Sequence, residues 1–212
     1  MPHTVLARSF QCFSAAVVLS AALSAQVVHD ETLDGDLSGS AGSPTVLAFA
    51  PGANIVSGSM TNLGDVRDFL TFTVPPGSAL VALRQIEYTD GGGSFGSVGY
   101  HGINAGSTSF TPGFGTASNF LGGNHLYTED SGYDMLVDLS LALTNGSGFS
   151  IPLGPGDYSY IIQQTGDPET FYTIEFELED DWSEVGGALA GVSGDPLLRG
   201  SGFLDGGSSN TV

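Results

Sequence analysis

Lysine is absent from this chain of 212 residues, and four arginines stand against 23 acidic residues, for a formal net charge of −19. That shortage of positive charge excludes nucleic-acid binding, because nothing could neutralise a row of phosphates. It excludes docking on an anionic membrane surface for the same reason. An acidic excess of this size fits a protein kept in an ion-rich exterior, where salt screens its self-repulsion. Cysteine is nearly absent too: the single one, Cys12, lies in the leader. The chain beyond the leader therefore has no disulfide, no thiol nucleophile and no cysteine-ligated metal. Its stability must come from core packing or from a bound ion. Long apolar runs are also missing. The best of them, CFSAAVVLSAALSA, is too short to span a bilayer comfortably and ends in small residues. With Arg8 ahead of it, residues 1–25 read as a secretory signal peptide cut after Ala25 or near Ser24, which places the protein outside the cell or in a periplasm, with no membrane segment once the leader is removed.

Glycine, by contrast, is present at 32 residues, about twice its usual share. Short β-branched runs alternate with Pro-Gly, Asn-Gly and Asp-Pro turns from Thr45 onward. The clearest, Phe171–Glu179, sends Tyr172, Ile174, Phe176 and Leu178 one way and Thr173, Glu175, Glu177 and Glu179 the other. Eight or nine such runs predict an all-β, antiparallel, jelly-roll-like sandwich over residues 26–181. Asp134–Leu143 fits either a helix or a strand. From Trp182 to Val212 the texture becomes Gly-rich: a tail, an extension packed on the sandwich, or an incomplete second β-module.

The run NLGDVRDFLTFTVPPG places Asp65 and Asp68 at the entrance of a strand, which raises the question of an ion site. The phrases ETLDGDLSG, SPTVLAFAPGANIVSGS, GDVRDFLTFTVPPGSAL, PLGPGDYSYIIQQTG and YTIEFELE, in that order between about Glu31 and Glu179, resemble the bacterial pre-peptidase C-terminal domain family. The resemblance implies a non-catalytic β-sandwich accompanying secreted enzymes, in some members binding calcium or engaging an insoluble substrate. The family often reads D-x-D-x-F, whereas here Val66 and Arg67 separate the acids, so Arg67 is a candidate to pair with one carboxylate. The tail is similar to the opening of a β-rich C-terminal module on secreted proteins of planctomycete-type bacteria.

The resemblance also implies that the acidic lead-in HDETLDGD meets the strand entrance. Calcium takes six to eight oxygens, mostly carboxylates and carbonyls, and carboxylates converging without lysine repel one another unless a cation joins them. The candidate calcium ligands are Asp65 and Asp68, then Glu31, Asp36 and Asp34. The alternative is a pair of solvated acidic loops. The spacing is not that of an EF-hand.

Other matches carry less. GGGSFG (Gly91–Gly96) matches both G-x-G-x-x-G and G-x-S-x-G around Ser94, but both motifs require a following helix and SVGYHGI reads as a strand. His101 and His125 with Ser94 and Asp134 would be needed for a secreted hydrolase, and two histidines with a carboxylate for zinc. Tyr88, Tyr100 and Tyr127, with Phe95, Phe110, Phe114 and Phe120, offer an aromatic face for a polysaccharide or extracellular matrix partner. Tyr158 reads as a corner tyrosine tying a turn. The sequence leaves the oligomeric state open. It points to an accessory module first, a carbohydrate- or matrix-binding module second and a hydrolase third.

Overall fold

The computed structural model describes residues 24–61, 64–90, 99–107, 119–141, 146–164 and 169–180. The segment up to residue 23, which falls in the expected signal peptide, the Gly91–Gly96 stretch with Ser94 and Phe95, Phe110, Phe114, Trp182 and the residues after it lie outside them.

Strand alternation builds two layers. One sheet has the order β1 (Gln26–Asp30), β3 (Gly52–Thr61), β9 (Glu169–Glu179), β5 (Ala79–Asp90). The other has β2 (Thr45–Val46), β4 (Arg67–Val74), β8 (Gly156–Gln164), β6 (Gly99–Ala105), β7 (Phe120–Leu126). The period-2 reading of β9 holds: Tyr172, Ile174, Phe176 and Leu178 are buried while Thr173, Glu175 and Glu177 are not fully covered. Leu70, Phe72 and Val74 of β4 and Tyr158, Tyr160 and Ile162 of β8 face them across the sandwich. Rings carry much of that contact: Phe49–Phe72 at 4.8 Å, Tyr160–Phe176 at 5.2 Å and Phe72–Phe176 at 5.4 Å between centroids. Such pairs add about 0.5–1.5 kcal/mol each beyond area burial. Tyr158 ties a turn as expected, its hydroxyl donating to the Gly154 carbonyl at 2.8 Å.

The all-β sandwich expected from sequence is the fold, with nine strands among the described residues. Its pairing is not purely antiparallel: β1 joins β3 and β2 joins β4 in parallel, so both sheets are mixed. Each of these two strands is an N-terminal edge addition, placed by the segment that follows it rather than by a hairpin turn. Asp134–Leu143 resolves toward helix, as the five-residue α2 (Leu136–Ser140), with Leu136 and Leu139 buried. The strand expected at Thr45–Ala50 is only two residues long. β4 is buried on both faces, because Phe69 packs with Phe120 and Ile161 in a second small cluster outside the main core.

Loops cover part of the β5 and β7 edges. Gln85 donates to the Tyr133 carbonyl and accepts from Gly132 N–H along β5, while Ser147 and Gly148 bond the carbonyls of Phe120 and Leu121 on β7. Covered edges offer no template for pairing with another chain.

Candidate metal centre

The site begins at the first edge strand. Asp30 ends β1 in an extended conformation and caps a one-turn helix, α1 (Glu31–Asp34), its carboxylate accepting the Thr32 N–H at 2.9 Å. Asp34 closes the turn from the other side by accepting the Asp30 N–H at 2.9 Å. Gly35, at φ 89°, lets the chain reverse immediately, a conformation that costs glycine little. His29 Nε2 donates to the Gly35 carbonyl at 3.0 Å. Leu37 then drops into the core at 1 % exposure. This tight path turns Glu31 inward and brings Asp36 back beside it.

Glu31 is fixed by two backbone donors: Leu37 N–H to Oε1 at 3.0 Å and Ser59 N–H to Oε2 at 2.7 Å. Asp68 arrives from β4. It stands in phase with Leu70, Phe72 and Val74, so the strand's alternation sends its carboxylate into the sandwich, where it is 1 % exposed. Tyr172 O–H donates to its Oδ2 at 2.8 Å, and its Oδ1 has no hydrogen-bond partner. Carboxylate oxygens of Glu31, Asp36 and Asp68 all lie within 4.8 Å of one another. Two oxygens on opposite sides of a calcium ion, each about 2.4 Å from it, are about that far apart.

Gly58 makes room for this convergence. A Cβ there would lie 2.6 Å from Tyr172 Cζ and 2.7 Å from Glu31 Cδ, closer than real Cβ contacts. Any side chain at this position would displace the tyrosine, the glutamate or both.

Crowding shows in the protonation equilibria. Burial, then Glu31, pushes the Asp68 carboxyl up to about 9, with the Tyr172 donor acting in the opposite sense. Asp65 rises to about 6, mainly through burial, then through Asp36 and Glu31. Burial raises Glu31, partly offset by its two backbone donors. Four carboxylates that disfavour one another's charge accommodate either protons or a cation. An all-oxygen set of this kind suits calcium, magnesium or manganese rather than zinc or copper.

Of the five carboxylates expected from sequence, the structure brings Glu31, Asp36 and Asp68 together and keeps Asp65 within electrostatic reach. Asp34 is exposed and caps α1 from outside this group. Arg67 takes no carboxylate from the cluster: its Nε donates to Gln163 Oε1 at 3.0 Å. Two residues were not foreseen. Tyr172 gave no signal beyond its place in a core strand. Gly58, a glycine inside a β-branched run, carried the ordinary mark of a close approach.

The aromatic binding face expected from sequence is corrected. Tyr88 and Tyr100 are 2 % and 7 % exposed, filling space around Gly99 and Gly123, and only Tyr127 of the three is open to solvent. Two of the hydrolase candidates, His101 and Asp134, are engaged in structure, and Ser94 lies outside the described residues. Burial holds His101 in the neutral form, down to about 3, with Nδ1 against the Tyr160 hydroxyl at 2.6 Å. Asp134 Oδ1 accepts the backbone N–H groups of Leu83 and Leu136. Comparison with protein-family models and with curated proteins returns no match for this chain.

Proposed function

We propose that this is a secreted, non-catalytic accessory β-sandwich of the pre-peptidase C-terminal type, in which calcium clasps the N-terminal strand and α1 to β4. The observation that carries the reading is the buried Asp68 carboxylate, with Oδ1 unpartnered, gathered within 4.8 Å of the carboxylates of Glu31 and Asp36. A polar atom taken out of water without a partner costs free energy, and a cation at the centre of these oxygens removes that cost while cancelling their repulsion. Binding to the folded chain alone adds stability by mass action. Two segments distant in sequence, Glu31–Asp36 and the start of β4, supply the oxygens, so the ion's role is to fasten the fold. Its chemical role as a Lewis acid has no substrate-facing support: Asp68 is closed off inside the sandwich. The polysaccharide or matrix surface is the partner consistent with a tethering role.

Terbium, which substitutes for calcium and is excited through a neighbouring tyrosine, tests the reading on the full chain. We expect sensitised emission that calcium competes away and that Asp68→Asn abolishes. Emission that calcium leaves untouched, or that survives Asp68→Asn, overturns the calcium site. Competition by magnesium at equal concentration would reassign the ion.

A further inference from the structure

We propose that the outer face of the β1–β3–β9–β5 sheet is a binding groove for a neutral polysaccharide chain, centred on Phe171. The inference does not rest on the calcium reading. Strand register lays two rows across this face: Ser57, Thr173 and Glu87 in one, Ser59, Phe171 and Thr89 in the other. Rows two residues apart along a strand are about 7 Å apart, and three strands span about 10 Å, the scale of a short stretch of sugar rings. The face is concave and opens on a groove of about 430 Å³, lined also by Asp30, Glu31 and Thr32.

The chemistry fits sugars. Phe171 is 46 % exposed in the middle of an otherwise polar surface, where its flat ring can cover the apolar face of a pyranose. Serine and threonine hydroxyls around it both donate and accept. Glu87 and Asp30 at opposite ends accept from sugar hydroxyls through charge-assisted hydrogen bonds. No lining residue is basic. Arg84 lies one row further along and is tied to Glu175 and Glu177. An anionic glycan would meet only carboxylates and be repelled, which narrows the occupant to a neutral chain.

Affinity gel electrophoresis of the full chain, in calcium-containing buffer, tests this with xylan, hydroxyethylcellulose and galactomannan as probes and polygalacturonate as the anionic control. At least one neutral probe should retard the protein, and polygalacturonate should not. Phe171→Ala should weaken that retardation by about ten-fold, an energy within reach of one aromatic contact, and Glu87→Gln by a smaller factor. Both variants should unfold at the temperature of the parent protein, since Phe171 and Glu87 are exposed. The groove borders Glu31 and Tyr172 of the ion site, so the calcium response of both variants is measured beside the gel: an unchanged calcium shift in thermal unfolding separates loss of glycan binding from loss of the ion. The proposal fails if no neutral probe retards the protein, or if retardation survives both substitutions. It also fails if the groove variants alter only the binding of a lysine-rich peptide, which would make the face a receptor for cationic segments.

Discussion

Glu175 and Glu177 stand on β9, and Glu31, Asp36 and Asp68 gather where β1, α1 and β4 meet. Among the described residues, only the first group receives an arginine partner. Arg84 reaches across from β5 to both glutamates, Nη2 lying 2.6 Å from Glu177 Oε2. Those glutamates are partly open to water, which screens whatever repulsion remains. At the second group the arginine that sequence offers, Arg67, turns away to Gln163, and burial removes the screening. The lesson is one of selective neglect. With four basic residues in the whole chain, one bridges a pair of surface acids, while the most deeply buried carboxylate is left with a tyrosine hydroxyl and a free oxygen.

This contrast breaks most sharply with the ion. Saturating calcium, at about a hundred times its dissociation constant, adds about 2.7 kcal/mol, or about 5–10 °C in Tm for a domain of this size. Asp68→Asn should erase that increment in thermal unfolding run with calcium and with chelator. Coincident curves for the parent protein under the two conditions would sink the ion site and leave the buried cluster to be neutralised by protons alone.

Acidity sharpens it. The folded-state value of Asp68 is raised above its unfolded value, so the ion-free protein binds the extra proton. Its stability should therefore be greatest at about pH 4 and decline toward pH 9, by at most about 1.4 kcal/mol per pH unit for one proton. Calcium must displace that proton, so the stabilisation it brings should grow over the same interval. Chelator-treated protein that gains stability between pH 5 and 8 would contradict the assignment.

Smaller effects follow from single contacts. Gly58→Ala forces a methyl group into Tyr172 and Glu31 and should cost about 1–3 kcal/mol, together with most of the calcium response. Tyr172→Phe leaves the buried Asp68 carboxyl without its hydroxyl donor, a cost of about 1–3 kcal/mol, and should weaken calcium binding several-fold with the core intact. Arg84→Ala should cost the least, roughly 0.5 kcal/mol, because its ion pairs are partly exposed. That loss should be equal in calcium and in chelator. A loss confined to one condition would mean that the two acidic groups communicate.

Much of the sandwich was legible because its signal is local. The alternation in β9 and β4 specifies both strand and inward face, and the same phase that buries Leu70 and Phe72 carries Asp68 inside. The two parallel edge strands were not legible in that way. QVVHD has no hairpin turn to announce it, and its place beside β3 depends on what α1 does next. Asp36 and Asp34 show the same limit at the site. They are two residues apart in one acidic run, and only the reversal at Gly35 decides that one joins the cluster while the other caps a helix. Tyr88 and Tyr100 lie inside and not on a surface; composition shows rings and not the glycines, Gly99 and Gly123, that receive them.

The parallel pairing of β1 with β3 also has a mechanical side. Gln26 lies beside Asn54, which lies beside Phe176, so the beginning of the first strand and the end of the last emerge at the same end of one sheet. Tension applied between those two points acts across the strands instead of along them. β1 would peel from β3 one hydrogen bond at a time, a soft mode of failure, until the tear reached Asp30 and Glu31. There the acidic cluster sits as the catch of a zipper, and an ion held in it would set the force at which the domain opens.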